Sequence, residues 1–167
     1  EHAGEMREDR EYHPWADYRE EIFTVEIGDG ITALGENLFE NCHNLKTVQF
    51  GNGLQEIRTQ AFLSTAVESL IFPESMRIIH GYAFNYCEKL ERVEFSKSME
   101  RVEESAFNCC NALKEVTFLN PNMENEVWWN EEKKVYITPF SDENTLKAVP
   151  DGMVVRGYEN SVAQDFA

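Results

Sequence analysis

Phenylalanine recurs in this chain at a nearly constant interval, and this regularity limits the fold more than any other feature. Phe39, Phe62, Phe84 and Phe107 are separated by 23, 22 and 23 residues. Three of them follow alanine, whereas Phe39 follows Leu38. An aliphatic residue lies five positions before each phenylalanine, and a cysteine or threonine lies three positions after it. Several apolar columns that keep one register over four units indicate a repeat protein.

Each repeat opens with a short alternation of apolar and polar residues. The alternating segments are TVEI at 24, TVQF at 47, SLIF at 69, RVEF at 92 and EVTF at 115. Such alternation predicts half-buried strands, which pair in parallel about 4.8 Å apart when coils stack. The stretch 54–62 then returns on the opposite side, with Ile57 and Phe62 inward. We predict a mostly β solenoid with about five rungs of 22–23 residues, all in one strand-bearing sheet.

The repeats resemble a known family. Residues 69–90, SLIFPESMRIIHGYAFNYCEKL, and 24–45, TVEIGDGITALGENLFENCHNL, are similar to the BspA-like leucine-rich repeat of bacterial surface proteins. Its motif runs approximately L-x-x-I-x-I-P-x-x-V-x-x-I-G-x-x-A-F-x-x-C-x-x-L. The second repeat departs most, because Thr65 replaces cysteine and one residue is missing between Thr65 and Val67. The segments 14–22 and 156–167 also resemble parts of this family.

This resemblance implies a right-handed leucine-rich-repeat coil in a secreted or cell-surface protein. It also implies adhesion to host proteins, matrix or other cells. We expect one domain, with an N-terminal tail and cap at 1–23, repeats at 24–123 and a C-terminal cap at 124–167.

The two ends of a solenoid expose apolar rungs and therefore need caps. Trp15, Tyr18 and Ile22 fall at helical spacing, which predicts a helix whose apolar face covers the first coil. EVWW and KVYI around a polar NEEK turn predict a β-hairpin inserted in the last coil. SVAQDFA at 161–167 has a capping-box pattern and predicts a short terminal helix.

The charge balance limits the partners. The formal net charge is -16, from 15 basic and 31 acidic residues. Nucleic acid and anionic membranes are held by clustered lysine and arginine, so neither is an expected partner. No apolar run approaches the roughly 20 residues that cross a bilayer. We expect a monomer that binds a protein partner, or else a glycan.

The cysteines are expected to be structural. Cys42, Cys87 and Cys110 share one repeat column with Thr65, which a metal ligand or disulfide partner would not readily allow. No C-x-x-C pair occurs. We predict a buried ladder of unmodified thiols. Cys109 falls in a variable column and is expected near the surface.

Catalysis is not indicated. The four histidines, His2, His13, His43 and His80, are scattered, and no nucleophile–base arrangement falls on neighbouring rungs. No glycine-rich phosphate loop occurs, and the GDG and GNG segments at 28–30 and 51–53 are equivalent repeat turns, with calcium binding there left as an alternative. We expect a non-enzymatic protein without cofactor or metal.

The outward face of the strands is the candidate binding surface, because a stacked sheet is rigid and gently concave. Ile71 is apolar on an otherwise polar face and marks a candidate contact, although a plain solvated face is the alternative. The outward residues are Thr24, Glu26, Thr47, Gln49, Ser69, Ile71, Arg92, Glu94, Glu115 and Thr117.

Trp128 and Trp129 form the second candidate site. Neighbours in a strand point to opposite faces, so one tryptophan is expected outside, where it stacks on a sugar ring or anchors a protein contact. Structural capping by both is the alternative. Three hypotheses follow: a protein-binding module, a carbohydrate-binding module that uses this hairpin, and a spacer between other domains.

Overall fold

The computed structural model describes residues 13–125, 128–130, 135–137, 139–140 and 154–157. The predicted C-terminal helix at 161–167 lies outside the described residues.

The chain forms a parallel β-solenoid, as predicted. Each coil also has a second short strand on its return side, which the sequence analysis treated as a return segment and not as a strand. The strands that open the coils form the surface that we call the strand face. They are β1 (Thr24–Glu26), β3 (Thr47–Gln49), β5 (Ser69–Ile71), β7 (Arg92–Phe95), β9 (Glu115–Phe118) and β13 (Val154–Arg156). The strands that follow each turn form the return face. They are β2 (Ala33–Leu34), β4 (Glu56–Ile57), β6 (Ile78–Ile79), β8 (Arg101–Val102) and β10 (Glu124–Asn125).

The return face is one continuous sheet of five parallel strands in the order β10-β8-β6-β4-β2. Its register sets each buried aliphatic residue beside its equivalent one coil later, as in Leu34 with Ile57 and Ile79 with Val102. This is the ladder that the aliphatic column of the sequence predicts.

A third ladder of backbone hydrogen bonds runs along the turns that contain Phe39, Phe62, Phe84 and Phe107, which we call the phenylalanine corner. The N–H groups of Phe39, Phe62 and Phe84 each donate to the carbonyl of the alanine in the next coil, at 2.7–2.8 Å. Two residues per coil take a left-handed backbone conformation here, with φ from 54° to 61°. They occupy two repeat columns: Asn37, Gln60, Tyr82 and Ser105, and then Asn41, Ser64, Tyr86 and Cys109.

Two stacks of phenylalanine rings fill the core. In the first, successive rings of Phe39, Phe62, Phe84, Phe107 and Phe140 lie 5.0–5.4 Å apart and nearly parallel. The second stack contains the rings at the ends of the strand-face strands, Phe50, Phe72, Phe95 and Phe118, whose successive centroids lie 5.2–5.7 Å apart. Rings of the second stack contact rings of the first stack edge-on. Close-packed aromatic stacks of this kind carry much of the stability of a small core.

The strand face is interrupted, and the prediction of one unbroken sheet is wrong at this point. β1 pairs only with β3, whereas β5, β7, β9 and β13 form a separate four-stranded sheet. The break lies at the repeat that is one residue shorter. The two strands still meet where they begin, since the N–H of Glu68 donates to the carbonyl of Lys46 at 3.3 Å, but no ladder continues from there. The coils still stack there, since the rings of Phe50 and Phe72 remain 5.3 Å apart.

The last coil contains the predicted hairpin. β11 (Trp128–Asn130) pairs antiparallel with β12 (Val135–Ile137). The coil then resumes at Pro139, whose carbonyl accepts the N–H of Phe107 at 2.7 Å, as the alanine carbonyl does in earlier coils. β13 pairs in parallel with β9 and adds a sixth strand that the sequence analysis did not predict.

At the N-terminus a 3-10 helix (Ala16–Glu21) precedes the first coil. Trp15 stacks on Phe39 with ring centroids 5.6 Å apart, and its indole N–H donates to the carbonyl of Leu38 at 3.0 Å. Ile22 also packs against the core. Tyr18 is 57% exposed, so its predicted place on the apolar face is wrong. The reason is local: the backbone at Tyr18 is non-helical, and the helical spacing does not hold across it.

Candidate functional site on the strand face

The strand face presents the side chains that the alternation predicts. Leu70, Val93 and Val116 point inward and are fully buried, whereas their neighbours on both sides reach solvent. The outward residues are exposed from Thr24 to Arg92, half-buried from Glu94 to Thr117, and exposed again at Val154 and Arg156. The predicted orientation is therefore confirmed, and a binding role for these residues stays a prediction.

Parallel register arranges the outward side chains in two rows. In the four-stranded sheet, Ser69 lies beside Arg92, then Glu115, then Val154. The second row runs from Ile71 through Glu94 and Thr117 to Arg156. In the two-stranded sheet, Thr24 pairs with Thr47 and Glu26 with Gln49. Neighbouring side chains on adjacent strands are close enough to interact.

Charge concentrates at the C-terminal end of this face. Arg92 lies 3.4 Å from the carboxylate of Glu94 and 3.9 Å from that of Glu115. Arg156 reaches the other oxygen of Glu115. The hydrogen bond from Arg156 lowers the pKa of Glu115 below its usual 4.5. Arg156 and Val154 belong to the sixth strand, and Val154 is 47% exposed. The sequence did not predict either residue as part of this face, because neither falls in a repeat column.

The front of the face has a different chemistry. Thr24, Thr47 and Ser69 are short and polar, and Ile71 is 64% exposed, more than any other large apolar side chain in the described part of the chain. Ile71 lies in β5, the strand at the sheet break. The neighbours of Ile71 are polar: Ser69 lies two residues before it on β5, and Glu94 lies beside it on β7. An exposed apolar side chain with polar neighbours is suited to be a contact that a partner covers.

The thiol column is buried, as predicted. Cys42, Cys87 and Cys110 are free and inaccessible. Each of the last two thiols lies near the phenylalanine carbonyl of the preceding coil, at 3.4 Å for Cys87 and 3.3 Å for Cys110. Thr65 continues the column, with its hydroxyl 3.2 Å from the sulfur of Cys87. The thiols and the hydroxyl thus serve the same packing role.

At Cys87, burial is outweighed by hydrogen bonds with Cys110 and Thr65, which lower the pKa of this thiol. Burial makes the thiols of Cys42 and Cys110 poor nucleophiles. It raises the pKa of Cys42 to about 11 and raises that of Cys110 well above its usual value. A thiol with such a pKa carries almost no thiolate at neutral pH.

The expectation that Cys109 lies near the surface is wrong, because this residue is only 2% exposed. Tyr86, in the same left-handed column, is 44% exposed. The thiol of Cys109 lies beside the amide oxygen of the buried Asn108, at 3.4 Å, whereas Asn41 in the same column is exposed and Ser64 is half-buried.

His43 and His80 contact carboxylates and not a nucleophile. His43 lies 2.8 Å from Glu20 at the surface, while the neighbouring Cys42 is buried. Within the described ranges, no three His, Cys, Asp or Glu side chains are placed to hold a metal ion.

A charged network crosses the return face, and the sequence analysis did not predict it. The ring of His80 lies between two carboxylates from neighbouring coils, 2.8 Å from Glu56 and 3.1 Å from Glu103. Arg58 extends the network from Glu56 at 3.4 Å, and Arg101 extends it from Glu103 at 3.1 Å. The signal was present in the repeat column that directly follows each buried aliphatic residue, where Arg58, His80 and Glu103 are equivalent.

The backbone of Trp128 and Trp129 lies in the hairpin. The side chains of these two residues lie outside the described part of the structure, so the expectation that one of them faces solvent stays a prediction. Among the residues that the structure describes, no helix is long and apolar enough to span a bilayer.

Known structures share this architecture. The T. pallidum leucine-rich repeat protein TpLRR matches with a TM-score of 0.61 and 22% identity, over 72% of this chain and 60% of that one. A leucine-rich repeat protein from Eubacterium ventriosum matches with a TM-score of 0.59 and 20% identity, over 91% of this chain and 45% of that one. The pneumococcal vaccine antigen PcpA matches with a TM-score of 0.52 and 23% identity, over 72% of this chain and 29% of that one.

The chain therefore spans 60% or less of the length of each of these proteins, and the likeness shows the fold. No curated protein sequence matches the chain. A family model, however, matches residues 17–133 with six copies of the BspA type leucine rich repeat region. This match spans well over half of the chain, so the chain belongs to the family of proteins with BspA-type leucine-rich repeats.

Proposed function

We propose that the chain is a non-catalytic protein-binding module of a bacterial surface or secreted protein, and that the strand face holds the partner. The observation that carries this proposal is Ile71, which is 64% exposed on β5, the edge strand of the four-stranded sheet. Interfaces concentrate their binding energy in a few well-covered side chains surrounded by a polar rim. Ile71 is the anchor of this kind, and its polar neighbours Ser69 and Glu94 form part of its rim.

The ion pairs farther along the face supply orientation. Arg92 stands beside Ser69 and one strand from Ile71, and its guanidinium lies near Glu94 and Glu115. A partner with one exposed charge beside an apolar patch can form an ion pair with one of these side chains in place of an existing pair. This contact would fix the orientation of the partner. Charged groups at the edge of an interface contribute specificity and association rate more than affinity.

The family and its neighbours support this proposal. Repeat proteins that stack short units present extended concave surfaces, and these surfaces suit protein recognition. One neighbour is named a pneumococcal vaccine antigen. For this chain, a location at the cell surface or outside the cell, with adhesion as the role, is part of the proposal.

The test is a binding screen with purified extracellular-matrix and plasma proteins, followed by variants of the strand face. We expect Ile71→Asp to weaken binding of any partner found by about tenfold or more, because a buried charge replaces an apolar anchor. Combined substitution of Ile71, Arg92 and Glu94 by alanine should abolish binding without unfolding the protein.

The matched control is Tyr86→Asn. Tyr86 is a large exposed side chain at the phenylalanine corner, and asparagine tolerates its left-handed backbone. This variant should bind normally. A partner whose affinity is unchanged by the triple substitution would contradict the strand-face proposal.

The hairpin of β11 and β12 supports a second candidate, a carbohydrate-binding module. Its strands pair as expected, and tryptophans on a hairpin are suited to stacking against sugar rings. A glycan array separates the two candidates: binding that is lost on Trp128→Ala or Trp129→Ala, but kept in the Ile71 variant, favours the hairpin.

A further inference from the structure

A cavity on the return face is separate from both candidate sites described above. It has a volume of about 280 Å³ and lies between two return strands and the turn that follows β9. Five residues line it: Ile78, Glu100, Arg101, Asn120 and Asn122. We propose that this cavity binds one neutral saccharide residue, such as a terminal or branching sugar of a glycan.

The rim of the cavity is held in place before any ligand arrives. The amide nitrogen of Asn120 donates to the carbonyl of Met99 at 2.7 Å, and its amide oxygen accepts the N–H of Asn122 at 2.9 Å. These bonds tie the turn to the preceding coil. Asn120 therefore shapes the cavity, while its neighbour Asn122 presents an exposed amide to it. Preorganisation of this kind lowers the entropy cost of binding.

Arg101 supplies the donors. One terminal nitrogen of its guanidinium lies 3.1 Å from Glu103. Its Nε is shielded from water and has no hydrogen-bond partner in the described part of the protein. A buried donor without an acceptor costs free energy. Arg101 lines the cavity and its side chain is 37% exposed, so a ligand oxygen there can accept from this guanidinium.

Glu100 supplies the acceptor. Its carboxylate is 63% exposed and lies 3.6 Å from the guanidinium of Arg77, a distance that leaves the oxygens free to accept from a ligand. The cavity is thus lined by one carboxylate, one guanidinium and two amides, together with the apolar side chain of Ile78.

This combination selects the chemistry of the ligand. A free anion would face Glu100, and a free cation would face Arg101, so each would meet a like charge. A hydroxyl group both donates and accepts, and neighbouring hydroxyls can bind Glu100, Arg101 and the Asn122 amide together. A sugar ring also has an apolar C–H face, which fits against Ile78. The volume is near the lower end for ligand sites and suits one ring.

The test is a titration of the full chain, uniformly labelled with nitrogen-15, against glucose, galactose, mannose and N-acetylglucosamine. At least one sugar should produce saturable shifts, of millimolar affinity, at the amides of residues 100–101 and 120–122. Arg101→Met and Glu100→Gln should each weaken that affinity about tenfold, the loss expected for one hydrogen bond to a charged group.

The matched control is Arg58→Met. Arg58 is also paired with a glutamate on the return face, but it does not line the cavity. This variant should keep the wild-type affinity. The dispersion of the amide spectrum shows whether each variant is folded, and Glu100→Gln provides a test that does not disturb the Arg101–Glu103 pair.

Three results would overturn the proposal. They are the absence of saturable shifts with every sugar, shifts that survive both Arg101→Met and Glu100→Gln, and equally tight binding of the zwitterion glycine, which would make the cavity an amino-acid site. The inference does not depend on the strand face, because loss of protein binding in the Ile71 variants leaves this titration unchanged.

Discussion

The junction between the second and third coils differs from the junction between the third and fourth, although both join the same kind of repeat. In the later junction, β5 and β7 pair over three residues on the strand face. In the earlier one, β3 and β5 form no ladder. Both junctions keep the return sheet, through β4–β6 and β6–β8, and both keep the phenylalanine stack.

The two junctions show which contacts between coils are always kept, namely the core stack and the return sheet, and which can be lost, namely the strand-face ladder. The strand-face ladder can be interrupted, because the core stack and the return sheet continue across the gap. His80 adds a further bridge there, since its ring lies 2.8 Å from Glu56 of the second coil. The exposed Ile71 lies at the edge of this same gap, so the regularity of the strand face fails beside the residue that we propose as its binding anchor.

Removing a ring from the stack should have the largest effect. Phe84 is fully buried between Phe62 and Phe107, with centroids 5.0 and 5.2 Å away. Phe84→Ala should lower the free energy of unfolding by about 3–5 kcal/mol, because it loses the ring contacts and leaves a cavity. Urea unfolding followed by circular dichroism measures this change. A loss below about 1 kcal/mol would mean that the stack does not hold the coils together.

Removing the bridge on the return face should have an intermediate effect. Both ring nitrogens of His80 are paired, and a glutamine side chain cannot reach Glu56 and Glu103 at the same time. His80→Gln should therefore cost about 1–3 kcal/mol in the same unfolding measurement. The control is His43→Gln, whose pair with Glu20 is exposed and whose loss should cost no more than about 0.5 kcal/mol. Equal costs for both variants would contradict a structural role for the bridge.

Restoring the missing residue should have a smaller effect of opposite sign. Inserting one asparagine between Thr65 and Ala66 gives the second repeat the length of its neighbours. If the short connection causes the gap, β3 and β5 should then pair, and stability should rise by about 1 kcal/mol for each net hydrogen bond gained. Urea unfolding would show this gain, whereas a loss of stability would mean that the gap has another cause.

The smallest expected effect concerns the charged end of the strand face. The folded-state pKa of Glu115 is lowered, so its pairing with Arg156 stabilises the fold above the unfolded pKa and is lost as pH falls through the folded one. A carboxyl-carbon NMR titration should give a midpoint below 4.5 for Glu115. In Arg156→Gln the midpoint should move upward, and an unchanged midpoint would exclude Arg156 as the cause.

Much of this fold could be predicted because repetition multiplies a weak signal. One alternating segment such as LERVEF is ambiguous alone, but five in register with Phe39, Phe62, Phe84 and Phe107 predict the strands, the inward face and the thiol ladder. The sixth strand was missed because the hairpin insertion separates Val154–Arg156 from any repeat column.

The remaining misses have physical causes that a single sequence does not reveal. The exposure of Tyr18 depends on a backbone irregularity. Cys109 is buried beside Asn108, although Asn41 in the same left-handed column is exposed. The return-face network and the cavity near Arg101 arise from side chains on different coils, whose distances follow only from the stacked structure.

Hydrogen exchange of the backbone amides tests most directly the claim that the coils are joined by the core stack and the return sheet across an interrupted strand face. We predict rapid exchange for strand-face amides at the gap between Thr47–Gln49 and Ser69–Ile71, and slow exchange for those of Arg92–Phe95. The amide of Phe62 donates to the carbonyl of Ala83 at 2.8 Å across the junction between the second and third coils, so its exchange should also be slow. Equal protection of the two strand-face junctions, or fast exchange at Phe62, would contradict this account.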